Sequence, residues 1–273
     1  MSDPRSSRYS TADACPAVDI HPTAIVEPGA RIAPGVSIGP WSLIGADVEI
    51  ESGTVIHSHV VIKGPTRIGR NNRIFQFSSV GEDCQDMKYA GEPTRLEIGD
   101  NNVIREGCTI HRGTVQDQGV TRIGSNNLLM AYVHVAHDCV IGDNIIMANN
   151  ATLAGHVKVG NGVILGGFST VHQFCVIGDF SMSAAHTAIF KDVPAFVMVS
   201  GNPAQAHGMN FEGMRRRGYS PELIRRLRKC YKIIYREGLR TVEAIDRIES
   251  MEQEPELQLL VASLKASTRG ITR

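Results

Sequence analysis

Aliphatic residues recur at every sixth position through most of this chain. The series starts at Ile20, runs without a break to Val80, and resumes in the same phase at Ile98. After a slip of one residue it restarts at Ile123 and continues to Ile177. A period of six matches neither the roughly 3.6-residue turn of an α-helix nor the heptad of a coiled coil. Such strict internal repetition predicts a solenoid of short stacked strands and turns.

The same period predicts the shape of one coil. Three six-residue sides make a triangular coil of about 18 residues with its aliphatic side chains pointing inward, which is the hexapeptide β-helix. Glycine often follows the aliphatic position, and asparagine pairs lie nearby. We expect both residue types to supply the positive φ values that sharp corners require. They are Gly39, Gly45, Gly69, Gly99, Gly124, Gly142, Gly160 and Gly178, with Asn71-Asn72, Asn101-Asn102 and Asn126-Asn127.

Two interruptions and one change of pattern divide the chain. The segments near 81–97 and 111–122 are polar and break the period, so we predict that they are loops leaving the coil. Loops on a rigid scaffold often carry function. Residues 18–190 are predicted to form the β-helix and residues 191–273 a C-terminal helical domain. The first part of that domain, 191–208, contains two prolines and is expected to be a connection.

The tail carries clear helix signals. Ser220 precedes Pro221, as a capping residue precedes the first helical turn, and Gly238 follows the apolar periodic stretch as a stop. Two more helices are expected near 241–252 and 255–266.

Composition narrows the classes of function. The 28 basic and 28 acidic residues balance, so no electrostatic attraction to nucleic acid or to an anionic membrane is implied. No apolar run is long enough for a transmembrane segment, and residues 1–17 lack the apolar core of a signal peptide. We expect a disordered leader there. The six cysteines form no CxxC pair, which favours free thiols in a reducing cytoplasm.

Histidines cluster on the aliphatic grid, at His134, His137, His156 and His172. Residues one coil apart should stack about 4.8 Å from one another. His137 is therefore expected under Gly155, and Gly155 under Gln173, with Asp138 and His156 in the adjacent column.

This patch suits acyl transfer to a hydroxyl group. A neutral imidazole is a suitable general base, an adjacent carboxylate can fix its tautomer, and a glycine N–H can approach an oxyanion. No nucleophile stands out, which favours direct attack by the acceptor. Two alternatives stay open on the residues alone: a histidine-ligated zinc site, and solvated or structural histidines. The spacing of His134 and His137 would place them on opposite faces of a regular strand, which disfavours shared ligation.

Several segments resemble one known family. They are HPTAIVEPGA, QDMKYAGEPTRLEIGD, TIHRGTVQ, NNLLMAYVHVAHDC, NNATLAGHV, VHQFCVIG and NFEGMRRRGYS, and they span nearly the whole chain from Ile20. The sequence resembles the acyl-(acyl-carrier-protein)–UDP-N-acetylglucosamine O-acyltransferases, which begin lipid A synthesis. The resemblance implies a left-handed parallel β-helix, a cytoplasmic enzyme without a cofactor, and a homotrimer with sites between neighbouring solenoids.

The resemblance also implies a reaction and its residues. An (R)-3-hydroxyacyl group would pass from acyl carrier protein to the 3-hydroxyl of UDP-N-acetylglucosamine. His137 would be the general base, Asp138 would orient it, and Gly155 would steady the oxyanion. The implied substrate contacts are Gln85, Asp86, Lys88, His134, His156, His172, Gln173, Asn210, Glu212, Arg216 and Arg217.

The far end of the implied acyl groove lies near Met182, Ala185 and His186. Ala185 stands where some family members carry glycine, and its methyl group takes up groove length because packed interiors do not yield freely. We therefore expect a shorter acyl chain than in the glycine-bearing members. Two alternatives are a zinc enzyme on the same fold, such as a carbonic anhydrase, and the related N-acyltransferase. The latter carries an additional N-terminal uridine-binding domain, for which the short leader leaves no room.

Overall fold

A computed structural model describes residues 17–252 and 254–273. Most of this part of the chain forms a left-handed parallel β-helix, and four α-helices follow it. The predicted fold class is confirmed. The expected disordered leader lies outside the described residues, except for its last residue.

The β-helix has three faces, and each face is one sheet. The first face contains Asp19–Ile20, Ser37–Ile38, Val55–Ile56, Arg73–Ile74, Val103–Ile104, Leu128–Leu129, Ile146–Met147, Ile164–Leu165, Met182–Ser183, Val197–Ser200 and Gln205–Met209. The second face contains Ile25–Val26, Leu43–Ile44, Val61–Ile62, Ser79–Glu82, Thr109–His111, His134–Val135, Thr152–Leu153, Thr170–Val171 and Ala188–Ile189. The third face contains Arg31–Ile32, Val48–Ile50, Thr66–Ile68, Arg95–Ile98, Val120–Ile123, Val140–Ile141, Lys158–Val159 and Val176–Ile177.

Strand register follows the predicted period. Ile38 pairs with Ile56 in the next coil, and the aliphatic residues of the grid fill the interior of the solenoid. Two coils are longer, because Ile74 pairs with Ile104 and Ile104 pairs with Leu129. The extra residues form loops over 83–94 and 112–119, inside the predicted interruptions.

The glycines that follow the aliphatic positions have a different role from the one we expected. Gly69, Gly99 and Gly124 do not adopt a positive φ. A Cβ at Gly99 would lie 2.7 Å from the carbonyl oxygen of Gly124, and a Cβ at Gly124 would lie 2.6 Å from that of Gly142. Each glycine therefore permits close approach of the next coil, and the expectation that they turn the corners was wrong.

Other residues turn the corners with a positive φ. The first corner, between the first and second faces, includes Trp41, His59, Phe77, Tyr132, Asn150, Phe168 and His186. The second corner, between the second and third faces, includes Gly29, Asp47, Asp138, His156 and Phe174. The third corner, which leads back to the first face, includes Gly53, Asn71, Asn101, Asn126, Asn144, Gly162 and Phe180. The expectation for asparagine is thus confirmed at the first residue of each pair.

Residues 191–208, at the open end of the solenoid, were predicted to be a connection but contain two strands. Val197–Ser200 pairs in parallel with Met182–Ser183, and Gln205–Met209 pairs antiparallel with Val197–Ser200. Val197 and Val199 are buried and continue the core, whereas the two prolines lie outside both strands. The sheet therefore extends beyond residue 190.

Four helices close this end of the molecule. They are α1 (Phe211–Arg216), α2 (Pro221–Tyr235), α3 (Thr241–Glu249) and α4 (Pro255–Lys265). The side chain of Ser220 caps α2 as predicted, whereas the short α1 was not predicted. The helices share an apolar core that includes Phe196 of the last coil. Among the described residues, none of the helices has the length and apolarity needed to cross a membrane.

Candidate active site

The clustered histidines and both loops lie at the same corner. The 83–94 and 112–119 loops each leave the solenoid after a strand of the second face, at the second corner. The coil that follows the second loop places His137 and Asp138 at this corner. Stacking thus brings loop residues that are distant in sequence into contact with the histidine cluster.

His137 and Asp138 form a hydrogen-bonded pair. The ring Nδ1 of His137 lies 2.9 Å from Oδ2 of Asp138. Thr114, in the second loop, donates from its backbone N–H to Oδ1 of Asp138 at 2.9 Å and from its hydroxyl to Oδ2 at 2.7 Å. The Asp138 backbone N–H donates to the Thr121 hydroxyl at 2.8 Å. A proton held on Nδ1 by the carboxylate leaves Nε2 of His137 as the basic nitrogen.

The Asp138 carboxylate is suited to stabilise an imidazolium. Its side chain is 1% exposed. Burial acts to raise the pKa of Asp138, but the hydrogen bonds from His137 and Thr114 outweigh burial, so the pKa is lowered from its usual value. The group is therefore ionised at neutral pH beside an imidazole that gains charge when it accepts a proton.

Gly155 brings backbone close to the same imidazole. A Cβ at this position would lie 2.6 Å from Cε1 and 2.7 Å from Nε2 of His137, so a side chain there would displace the imidazole. The Gly155 carbonyl accepts a hydrogen bond from the Phe174 N–H at 3.1 Å. Within the described part of the chain, the Gly155 N–H donates no hydrogen bond. The Gly155 backbone therefore lies close to the basic nitrogen of His137, and its N–H is available to an incoming group.

His156 occupies the corner position one coil beyond Asp138. Its Nδ1 lies 2.9 Å from Oδ2 of Asp117 in the second loop and 3.9 Å from Oδ2 of Asp138. Its ring stacks on Phe174, with centroids 4.4 Å apart, and meets the His137 ring edge to face at 5.0 Å. Four contacts thus fix this imidazole in the cluster.

His134 lies on the second face beside the cluster and is neutral near pH 7. Burial lowers the pKa of His134 to about 4, and His111 and His137 add to the effect. The hydroxyl of Thr109 lies 2.7 Å from Nδ1 of His134, and the His111 ring is 5.4 Å away. His111 in turn donates from Nδ1 to the carbonyl of Asp83 at 2.7 Å, which ties the first loop to this face.

The other predicted contacts in the coil and first loop lie at the surface. His172 and Gln173 lie near Phe174, and Nδ1 of His172 is 3.1 Å from the Gln173 carbonyl. In the first loop, the Asp86 carboxylate accepts the Lys88 N–H at 2.9 Å, and Lys88 and Gln85 are exposed.

The predicted tail residues lie at a different corner. Asn210 is 6% exposed; its side chain caps α1 through the Gly213 N–H and donates to the Phe180 carbonyl at 3.2 Å. Arg217 donates to the Gly162 carbonyl at 2.9 Å and lies over the Phe180 ring. Phe180 and Gly162 belong to the third corner, so in one chain the tail and the histidine cluster are separated by the third face.

The remaining tail residues are exposed. Glu212 pairs with Arg215 at 3.2 Å and with Arg216 at 3.3 Å. Exposed pairs of this kind contribute little stability, so these side chains are free to exchange partners.

The three predicted acyl-length residues lie near the first corner. Met182 is half-buried in its strand, whereas Ala185 and His186 are exposed. The His186 ring stacks on Phe168 with centroids 4.9 Å apart. This edge of the solenoid therefore presents a ring stack next to the small Ala185 side chain.

Cation binding by the cluster would require hydrogen bonds to break. His137, Asp138 and His156 each place a potential ligand atom within 4.8 Å of the others. Oδ2 of Asp138 already accepts from Thr114 and contacts His137, and Nδ1 of His156 contacts Asp117. The arrangement fits a hydrogen-bonded proton acceptor better than a metal site.

Sequence reasoning missed Thr114, Asp117 and Thr121. They lie in or beside the second loop, which interrupts the six-residue period, so the period does not predict where their side chains lie. The signal was nevertheless present, because this loop interrupts the corner one coil before His137 and must adjoin it.

Comparison with known proteins identifies the family. A family model described as UDP N-acetylglucosamine O-acyltransferase, domain 2, matches residues 192–272, and a bacterial transferase hexapeptide model matches residues 121–155. An acyl-(acyl-carrier-protein)–UDP-N-acetylglucosamine O-acyltransferase of Stutzerimonas stutzeri is 63% identical over 212 residues, which cover 77% of this chain and 82% of that protein. The chain belongs to this O-acyltransferase family. It is therefore an acyltransferase, as the resemblance implied.

Further members of the O-acyltransferase family are similar to this chain in sequence and in structure. The protein of that name from Pseudomonas putida is 60% identical over 205 residues, covering 75% of this chain and 80% of the relative. Among solved structures, LpxA from Acinetobacter baumannii superposes with a TM-score of 0.92 at 58% identity, over 93% of this chain and 99% of that one. The UDP-N-acetylglucosamine O-acyltransferase of Moraxella catarrhalis gives 0.92 at 55% identity, with the same coverage. Fold and family thus agree over nearly the whole described chain.

Proposed function

We propose that this O-acyltransferase moves an (R)-3-hydroxyacyl group from acyl carrier protein to the 3-hydroxyl of UDP-N-acetylglucosamine, with His137 as general base. One observation carries the mechanism. Nδ1 of His137 is held by the ionised Asp138, while Nε2 lies beside the backbone of Gly155, whose N–H has no hydrogen-bond partner among the described residues. A proton acceptor and an oxyanion donor therefore adjoin at one point, which acyl transfer to an alcohol requires.

The reaction is a direct displacement at the thioester carbonyl. As the sugar hydroxyl forms the new C–O bond, Nε2 of His137 accepts its proton, and Asp138 stabilises the resulting imidazolium. The carbonyl oxygen becomes an oxyanion, which accepts the Gly155 N–H. The C–S bond then breaks, and His137 returns the proton to the leaving thiolate.

Direct attack also agrees with the state of the nearby thiol. Cys139 follows Asp138 but is fully buried, and its Sγ contacts the Ala154 carbonyl at 3.2 Å. Burial raises the pKa of Cys139 to about 12. A thiol in that state is a poor nucleophile, so a covalent acyl-cysteine intermediate is disfavoured.

Substrate binding is proposed to use the surface around the cluster and the tail. Asp86 and Gln85 suit sugar hydroxyls, Lys88 suits acyl or phosphate groups, and Arg217 suits phosphate. His134, His156, His172 and Gln173 would line the sugar and acyl site. Asn210 would act mainly by fixing α1, because its side chain is occupied there, while Glu212 and Arg216 would face the nucleotide.

We further propose that the working unit is a cytoplasmic homotrimer that carries out the first step of lipid A synthesis. In one chain the histidine cluster lies at the second corner and the tail residues lie at the third. A site that uses both groups is complete only where the second corner of one copy meets the third corner of another. Acyl carrier protein would dock at that junction.

The test is an assay of purified protein with UDP-N-acetylglucosamine and hydroxyacyl carrier protein. His137→Ala should lower kcat about 100- to 10,000-fold, the usual contribution of a general base. Near-normal activity in an intact oligomer would exclude His137 as the base. Stoichiometric zinc that is lost together with activity on chelation would favour the metal-enzyme alternative instead.

Mixed oligomers test the shared site. Co-expression of His137→Ala with Arg217→Ala subunits should restore part of the activity that each homo-oligomer lacks, because some junctions then combine two intact halves. Arg215→Ala is the matched control, since Arg215 is exposed on α1, two residues before Arg217, and has no proposed role. Absence of any recovery in verified mixed trimers would place the whole site within one chain.

A further inference from the structure

The second loop supplies a carboxylate that neither the sequence analysis nor the family resemblance assigned. Asp117, in the 112–119 loop, places Oδ2 at 2.9 Å from Nδ1 of His156. The two residues are 39 positions apart, so only the stacking of successive corners brings them together. The same loop provides Thr114, which binds Asp138 through two hydrogen bonds. One loop therefore contacts both imidazole–carboxylate units of the cluster.

Asp117 is the hydrogen-bond acceptor of His156 within the described residues. The alternative carboxylate, Asp138, lies 3.9 Å from the same nitrogen, beyond hydrogen-bonding range. Its Oδ2 is also occupied by Thr114 and His137. Without Asp117, Nδ1 of His156 would have no acceptor at hydrogen-bond distance in the part of the chain that the structure describes.

Packing fixes the plane of the His156 ring but does not select its tautomer. Phe174 stacks on one face at 4.4 Å with an interplanar angle of 11°, and the His137 ring approaches at 89°. The stack on Phe174 uses the ring face, so it is the same whichever ring nitrogen carries the proton. A hydrogen bond from Nδ1–H to a carboxylate selects one tautomer and leaves Nε2 with its lone pair.

We infer that Asp117 is a positioning residue that holds His156 in the Nδ1–H tautomer, so that Nε2 accepts a hydrogen bond from a hydroxyl of the UDP-sugar. The inference rests on the proposed function, in which His156 lines the substrate site. The cluster then has two parallel units: Asp138 orients the base His137, and Asp117 orients the binding residue His156. Among the described residues, the Asp117 carboxylate has His156 as its hydrogen-bond partner, while the Asp117 backbone N–H donates to the Thr114 carbonyl at 3.3 Å. Loss of the carboxylate should therefore affect substrate binding rather than the chemical step.

The test compares Asp117→Ala with Asp117→Asn and with the control Gln116→Ala in the same exposed stretch of the loop. Asp117→Ala removes the acceptor and should raise KM for the UDP-sugar up to about tenfold with little change in kcat, on the scale of one net hydrogen bond. Asp117→Asn keeps a carbonyl acceptor and should retain most of the wild-type KM. Gln116→Ala should behave as wild type.

The ring-nitrogen NMR shifts of His156 provide a readout that is independent of activity. The wild type and Asp117→Asn should show a predominant Nδ1–H tautomer, whereas Asp117→Ala should show mixed or Nε2–H populations. The inference is overturned if Asp117→Ala leaves both tautomer and KM unchanged, or if Asp117→Asn is as damaged as Asp117→Ala. An active His137→Ala variant would refute the proposed base and leave the tautomer result standing, so the two failures are distinguishable.

Discussion

The second and third corners share one backbone conformation and differ in what their side chains do. Asp138 and His156 turn the second corner with φ of 58° and 62°, and Asn126 and Asn144 turn the third with 60° and 59°. At the third corner the neighbouring buried asparagines form a ladder. Asn102 bonds to the coils on both sides of it through its amide group. At the second corner the polar side chains bind residues of an ejected loop.

This difference shows how one repeating backbone supports both stability and chemistry. Asparagine satisfies its own polar groups with the adjacent coil, so the third corner closes on itself. The second corner is interrupted twice by loops. Among the described residues, His137 and His156 each form a hydrogen bond to a carboxylate through Nδ1. In the proposed mechanism the other ring nitrogen, Nε2, is left for substrate. The comparison implies that side-chain removal should lower stability at one corner and activity at the other.

The largest expected effect on stability follows from Asn102→Ala at the third corner. This change removes a buried amide that bonds to Asn72, Gly124 and Asn127. Unsatisfied backbone groups remain, so the free energy of unfolding should fall by about 3 kcal/mol, while kcat of the folded enzyme is unchanged. Denaturant unfolding and steady-state kinetics measure the two quantities.

The matched control is Asn101→Gly in the same pair. Asn101 is exposed with φ of 58°, a conformation that glycine adopts freely. This variant should stay within about 1 kcal/mol of the wild type. If Asn102→Ala proved no more destabilising than Asn101→Gly, the ladder would not hold the third corner together.

A smaller effect is expected on the stability of the protein at acid pH, through His134 on the second face. The pKa of His134 is about 4 in the folded protein, against an ordinary value of 6.5. Between these values the unfolded chain binds a proton that the native protein does not, so stability falls as pH falls from 6.5 towards 4. His134→Gln removes this proton and should reduce the loss of stability between pH 7 and pH 5.

His57 provides a check on that interpretation. Burial, with a smaller effect of Arg73, also lowers the pKa of His57, so part of the acid sensitivity should persist in His134→Gln. Urea midpoints at the two pH values, for wild type and variant, decide the matter. An identical loss in both proteins would show that His134 does not titrate below its ordinary range.

The smallest expected effect concerns the first corner. Ala185→Gly removes one methyl group beside the stacked rings of His186 and Phe168. If Ala185 limits the acyl groove, the preferred donor should become longer by about one methylene, because the space released is one methyl group. Competition assays with a ladder of hydroxyacyl carrier proteins measure the shift. An unchanged or shorter preference would remove Ala185 from the groove end.

Much of the fold could be predicted from the sequence, because aliphatic residues at every sixth position form its core. The inward positions from Ile38 to Ile177 are buried as predicted, and Ser220 caps its helix. The role of glycine was misjudged, because a sequence does not distinguish a residue that needs a positive φ from one that needs a missing Cβ. Gly99 and Gly124 belong to the second kind.

The candidate site could be predicted only in part, because some of its residues lie on the repeating coils and others lie in a loop. His137, Asp138 and Gly155 lie on the periodic part of the chain, where spacing predicts contact. Thr114 and Asp117 lie in a loop whose path depends on non-repeating contacts, so their hydrogen bonds to the corner emerged only from the structure. The strand beyond residue 190 was missed because its prolines, which flank it, concealed a short alternating apolar segment.

The constant rise of the solenoid sets a scale for any chain-like substrate that lies along its axis. Neighbouring coils are about 4.8 Å apart, and an extended chain advances about 1.2 Å per bond. Moving a blocking side chain from one coil to the next would therefore change the length of an accommodated acyl chain by about four carbons. A change of one methyl group within a coil, as between Ala185 and glycine, would change it by about one. The accommodated chain length would thus change in large steps when a blocking side chain moves between coils, and in small steps when its size changes within one coil.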